Sequence, residues 1–257
     1  MTHTDLLTKI KNAPHVDFGN LFGESINLFQ KVFLQGLLLQ ILTVAISYGI
    51  SMLVMLPFSL GGAFIDYNDI NSYSDEEVGI VAIITMFFLY LIITVIMAVV
   101  NFALQAAFYR IVRMKDRNKR SELGVGFGMF IKKQHIKKVL ILSMAQIGIA
   151  VVAMLFFILP LFFVLVPLQF AVIIFAFNPE LSVNDILKAA FAIGAKKWGI
   201  TFGACLIIGF LALVVGVMAC FVGVYATISI VYLPAYLVYK EVVGFTEDED
   251  LIAQIGV

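Results

Sequence analysis

Few residues in this chain are of types that do chemistry. The histidines are His3, His15 and His135, and the cysteines are Cys205 and Cys220. An active site needs positioned acids, bases, nucleophiles or metal ligands. No carboxylates are paired, no ligands stand at metal spacing, and no nucleophile has a base beside it. Gly124, Gly126 and Gly128 alternate, but they follow no strand and lack a phosphate-binding lysine. They read as a flexible approach to a span. Both cysteines sit in apolar sequence and read as small buried hydrophobes. Catalysis is therefore not expected, and neither is a cofactor or a metal.

Two other sets of residues carry function candidates. The first is neutral and lies inside apolar sequence: Asn101, Gln105, Gln146 and Gln169, with a stripe of Gln40, Thr43, Ser47 and Ser51 about one helical turn apart. Amides are costly to leave unpaired in lipid. They serve either as glue between helices, at about 0.6 kcal/mol per bond, or as a polar groove facing a solute or lipid headgroup. The second set is basic. Residues 110–138 hold ten lysines and arginines against Asp116 and Glu122. Arg110, Arg113, Lys115, Arg117, Lys119 and Arg120 crowd beside a span, and Lys196 and Lys197 precede another. Such clusters attract anionic lipid by about 1 kcal/mol per basic residue near the surface. They also set orientation in any multispan protein. Nucleic acid is not an expected partner, because no stacking aromatics interleave with these charges. The acidic tail Glu247–Asp250 reads as a solvated end.

The elements that must position these groups follow from composition. Of 257 residues, 62% are hydrophobic and 13% charged, with mean hydropathy +1.04. Soluble domains carry about 25% charged residues, so this is an integral membrane protein. Residues 32–65, 78–109, 139–177 and 199–239 contain no Asp, Glu, Lys or Arg. A crossing helix needs about 20 apolar residues. The first two blocks suit one long helix each. The last two would reach about 60 Å as single helices, so each must fold back, at Leu159-Pro160-Leu161 and around 218–224. Six spans result, near 33–56, 80–107, 139–159, 161–177, 199–218 and 222–240.

In that order all seventeen lysines and arginines fall on one side, and Asp66, Asp69, Asp75, Glu76 and Glu77 on the other. The positive-inside rule then puts both termini in the cytoplasm. The segments before spans one and five align without a gap: Ile26 matches Phe191, Lys31 matches Lys196, and Phe33 matches Trp198. Both show apolar residues at helical spacing, and Ser182 with Asp185 marks a helix start. Residues 16–32 and 182–198 are thus expected as amphipathic interfacial helices, lying flat with lysines at the phosphates. Residues 121–138 form a weaker third copy, and a threefold parallel repeat is the expectation that follows. The fold class is all-α: a polytopic protein of six transmembrane helices with two or three cytoplasmic interfacial helices.

Val16-Asp17-Phe18-Gly19-Asn20-Leu21-Phe22-Gly23-Glu24-Ser25, and Val183-Asn184-Asp185-Ile186-Leu187-Lys188-Ala189-Ala190-Phe191 ahead of Lys196-Lys197-Trp198, carry a resemblance. Together they resemble an uncharacterised bacterial group of six-span integral membrane proteins. That group includes the membrane domain fused to some glycerophosphodiester phosphodiesterases. The likeness is one of hydrophobicity and spacing, without a chemical motif. It implies a bacterial inner membrane location and no established activity. Two functions remain in view. The leading one is a non-enzymatic scaffold or accessory subunit for another membrane protein or for lipid organisation, with a membrane-protein partner, a homo-oligomer or anionic lipid at the cytoplasmic face. The other is a carrier or channel for a neutral or lipid-like solute, using the amides and the proline-broken fourth and sixth helices (Pro167, Pro234).

Overall fold

A computed structural model describes residues 2–64, 75–117, 127, 130, 133–156, 158–219 and 222–245. Most of the acidic loop after the first span, Lys119, Arg120, Cys220, the acidic tail and most of the middle repeat copy lie outside the described residues. What is described is helical, and among these residues there is no strand. The order is α1 (His3–Lys11), α2 (Phe18–Phe64), α3 (Asp75–Asp116), α4 (Lys133–Leu155), α5 (Ile158–Phe177), α6 (Val183–Lys196), α7 (Trp198–Met218), α8 (Val222–Thr227), a 3₁₀ turn (Ile228–Tyr232) and α9 (Leu233–Val242). Five of them hold stretches long and apolar enough to cross a membrane: Phe18–Leu53, Ile84–Asp116, His135–Leu155, Leu159–Phe177 and Trp198–Met218. The chain is a multi-pass membrane protein. Most of its large exposed apolar residues lie on those five helices, as lipid contact requires.

The breaks follow local chemistry. The α4–α5 turn falls between Leu155 and Ile158, which puts Pro160 in the first turn of α5, where a missing N–H costs nothing. Asp17 caps α2, its carboxylate accepting from the Asn20 amide at 2.9 Å. Residues 222–240 do not form one helix. Thr227, Ile228, Ile230 and Val231 crowd a helix at the β-carbon, and Pro234 has no N–H to continue it. The segment resolves into α8, the 3₁₀ turn and α9.

Two expectations about amphipathic segments need correction. Residues 16–32 do not lie as a separate interfacial helix. From Phe18 the helix runs on without interruption to Phe64, 47 residues or about 70 Å. No glycine or proline stands between Gln30 and Gln35 to stop it. The second segment does break, at Lys197, whose φ of −111° and ψ of 18° separate α6 from α7. Its apolar face meets protein rather than lipid, because Ile186, Ala189, Ala190 and Ile193 are wholly buried. α6 lies back along α5 in the most extensive helix pair of the fold. Trp198, just beyond it, stacks on Phe163 at 4.7 Å and donates from Nε1 to the Phe162 carbonyl at 3.3 Å. It thus sits beside the start of α5, not beside Phe177 as the six-span order requires. The two aligned segments therefore differ in structure.

Gly194 permits this packing. A Cβ there would fall 2.7 Å from the Pro167 Cα. Gly194→Ala is expected to cost about 1–3 kcal/mol by overpacking, read as a lower thermal midpoint in detergent. Gly203, also in a helix but with open space around its Cβ position, is the control. Gly203→Ala should leave the midpoint unchanged or raise it.

An element the sequence did not announce is α1. Thr2 and Asp5 cap each other, the Asp5 amide donating to Thr2 Oγ1 at 3.3 Å, and Thr2's hydroxyl holds the Asp5 carboxyl below its usual range. Leu6 and Ile10, one turn apart, are buried as α1 packs against α6. Lysines hold it down. Lys196 Nζ donates to the Ile10 carbonyl at 3.1 Å and to that of Lys11, and Lys197 Nζ donates to the Pro14 carbonyl. Lys9 Nζ donates to the Val243 carbonyl at 2.8 Å, which joins the two ends of the described chain.

Candidate functional site

Pro167 disturbs α5 at the level where the neutral amides meet. Its ring opposes the carbonyl of Phe163 and its nitrogen has no proton. One turn on either side of it, α5 borders a cavity of about 480 Å³, within the usual range for small-molecule sites. The wall is apolar: Phe162, Leu165, Val166 and Leu168 from α5, with Phe202 and Leu206 from α7. The polar groups are Gln105 of α3, Gln146 of α4, Gln169 of α5, Cys205 of α7 and Tyr232 of the 3₁₀ turn. Three of the four amides singled out in the sequence thus come from three helices to one place. Asn101 does not join them, and its side chain donates to the Met97 carbonyl of its own helix at 2.9 Å.

Each glutamine is held differently. Gln146 Nε2 donates to the Leu168 carbonyl at 2.9 Å. Gln169 Nε2 donates to the Tyr109 hydroxyl at 3.3 Å and to the Val231 carbonyl at 3.4 Å. The 3₁₀ turn, made necessary by Pro234, is what places the Val231 carbonyl there. Among the described residues, Gln105 has no hydrogen-bond partner. Cys205 Sγ stands 3.5 Å from the Val231 carbonyl and 3.9 Å from Gln169 Oε1. Gln40, from the sequence's polar stripe, reaches the Tyr232 side chain. Ser47 instead donates to the Thr43 carbonyl of its own helix at 2.5 Å.

Among the described residues, no lysine, arginine, histidine, aspartate or glutamate lines the cavity. The cavity is open to the side, since Phe162, Leu165 and Leu206 remain 42%, 46% and 56% exposed. These residues belong to stretches long and apolar enough to span, so the opening faces lipid. Comparison with known families, characterised proteins and solved structures finds no match to this chain. Chemistry at this site has to be read from its own residues. Among the described residues, no group of three histidines, cysteines or carboxylates could hold a metal ion. The arrangement can bind an uncharged molecule through amide hydrogen bonds and pack an apolar chain along α5 and α7.

The basic residues are structural in part, and burial corrects the assignment of Arg110 and Arg113 as lipid contacts. Arg110 is 6% exposed; its Nε donates to the Ala176 carbonyl at 2.6 Å and its guanidinium lies 4.7 Å from the Phe130 ring centre. Arg113, 7% exposed, stacks on Phe245 at 3.8 Å and faces Asp116 at 3.7 Å. Asp116 also takes Lys240 at 2.8 Å and the Tyr236 hydroxyl at 3.0 Å. Both arginines fill the interior because aromatic faces and helix-end carbonyls are there to receive them. Lys196 and Lys197 serve α1, as described above. Lys115 is half-buried and Arg117 exposed.

Proposed function

We propose that the protein binds, and carries within the membrane, an uncharged lipid-like molecule in the cavity between α3, α4, α5 and α7. The observation that supports this reading is the convergence of Gln105, Gln146 and Gln169 on one laterally open cavity, lined among the described residues by no ionised group. An intramembrane charge would favour an ion-coupled carrier; neutral amides suit a neutral ligand. The scaffold alternative lacks such a localised feature, because the exposed apolar residues are spread over several helices. The reading is of a binding protein or carrier, not an enzyme. The likeness to the bacterial six-span group carries no part of it.

The test is native mass spectrometry of protein purified in mild detergent. Wild-type protein is expected to retain an uncharged lipid, and a variant with Gln105, Gln146 and Gln169 all changed to Leu to lose it. Equal retention by both would sink the proposal.

Both chain ends on one side of the membrane, hence an even number of crossings, is the accompanying topology. It is supported by the bond from Lys9 to the Val243 carbonyl and by Phe245 packing on Arg113. The excess of basic residues makes that side the cytoplasm. Single cysteines at Thr4 and Gly244 should behave alike toward an impermeant thiol reagent in intact cells, both protected. Labelling of one and not the other contradicts this topology.

A further inference from the structure

We infer that the ligand's polar end is a hydroxyl donor, so that the cavity selects a neutral long-chain alcohol, such as an acylglycerol with free hydroxyls, over ether or phosphate headgroups. This rests on the cavity reading above and sharpens it. The protein's own acceptors decide which way the glutamines face. Backbone carbonyls only accept hydrogen bonds. The carbonyl of Leu168 at 2.9 Å therefore claims the amino group of Gln146, and the carbonyl of Val231 at 3.4 Å claims that of Gln169. Protein takes both amino hydrogens of Gln169 and one of the two on Gln146, and the carboxamide oxygens are what it leaves without a strong donor. Among the described residues, the one hydrogen bond these oxygens receive is from the weak Cys205 thiol, 3.9 Å from Gln169 Oε1. Gln105 adds a whole amide without a protein partner among the described residues.

Two oxygens without a strong donor ask for a ligand that donates, and the free amide of Gln105 can donate in turn to the oxygen of the same hydroxyl. An ester or ether oxygen can only accept, so it leaves the oxygens of Gln146 and Gln169 unpaired. A phosphate or carboxylate would face those same oxygens with no lining cation among the described residues to offset its charge. An ammonium group could donate, but it would be a buried charge without a counterion. A neutral hydroxyl satisfies the oxygens at no such cost, and its chain leaves through the side between Phe162, Leu165 and Leu206.

Trp198 provides a reporter already in place. It is the chain's single tryptophan and stacks at 4.8 Å on Phe202, which lines the cavity. A bromine-labelled acyl chain bound there will quench its fluorescence. The experiment uses wild-type protein in nanodiscs and three probes with the same brominated chain: a monoacylglycerol, its dimethyl ether, and a phosphatidylcholine. The monoacylglycerol is expected to quench saturably, above the linear background given by the phosphatidylcholine. The dimethyl ether should bind about tenfold more weakly, since each hydrogen bond lost at a buried acceptor is worth a factor of a few. Changing Gln146 to Met should shrink that ratio. Equal saturable binding of the alcohol and its ether overturns the hydroxyl preference and leaves the cavity reading standing. Saturable quenching by phosphatidylcholine at equal strength overturns the choice of a neutral ligand. Purely linear quenching by all three overturns the cavity reading itself.

Discussion

Changing Gln169 to Leu should both empty the cavity and loosen the fold around it. Its amide touches the Tyr109 hydroxyl and the Val231 carbonyl, and its oxygen stands nearest Cys205. Leucine leaves those groups without their partner in a low-dielectric setting, where an unmade bond costs about 1–3 kcal/mol. A lower midpoint in thermal or denaturant unfolding is expected together with loss of the retained lipid. The effects separate at the neighbouring positions. Gln105 has no partner among the described residues, so Gln105→Leu should weaken ligand retention while changing stability by no more than about 0.5 kcal/mol. Among the described residues Asn101 bonds only within its own helix, and Asn101→Leu should leave retention at the wild-type level. Retention that falls in step with stability across all three variants, Asn101→Leu included, would mean the amides act as glue and nothing more.

The second large effect is expected at Arg110. It lies where the last carbonyls of α5 have no helical partner, and it donates to one of them, that of Ala176. A cation at a helix C-terminus also favours the helix dipole. The Phe130 ring covers its other face. Arg110→Leu removes the donor, the charge and the stacked plane together, for a loss of about 2–4 kcal/mol. Arg110→Lys should recover only part of it, since lysine is a point charge without a planar fork to stack and donate at once. The measurement is unfolding in detergent with wild-type, Leu and Lys forms side by side. Full stability of the Leu form would return Arg110 to the role of a headgroup contact. Ligand retention per folded molecule should not change, because Arg110 does not line the cavity.

Hydropathy made the class of fold legible before any coordinates. Stretches without charge have one stable use, and five of the helices answer to them. The turn near 218–224 was readable too, where α7 ends at Met218 and α8 begins at Val222. Gly216 lets the two helices close to 2.6 Å between its Cβ position and the Val224 Cα. Amphipathic patterning was less decisive, because it says that a face must be covered and not what covers it. The face of α6 looked suited to lipid, and α5 and α1 cover it instead. α1 had a visible signal in Thr2 with Asp5, but two buried residues in nine are too few to stand out.

The cavity was half legible. Neutral amides in apolar sequence marked Gln105, Gln146 and Gln169, but nothing in their spacing brings them together. Their meeting depends on α5 lying between α4 and α7, and on the 3₁₀ turn that offers the Val231 carbonyl. Tyr232 and Cys205 were missed as lining residues, since a tyrosine and a cysteine in apolar sequence read as packing. The basic cluster misled for a related reason. Arginines beside a span suit phosphates, but Phe130 and Phe245, which receive Arg110 and Arg113, are distant in sequence.

The central claim is that a neutral lipid occupies the space between α5 and α7 in the native membrane. A photoreactive benzoylphenylalanine in place of Phe202, activated in intact cells, tests it with little change of shape. Leu155, 79% exposed on α4, serves as the lipid-facing control. Mass spectrometry of the adducts is expected to find an uncharged, hydroxyl-bearing lipid at position 202 and bulk phospholipid at position 155. The same phospholipids at both positions, or a protein captured at 202, would contradict the claim.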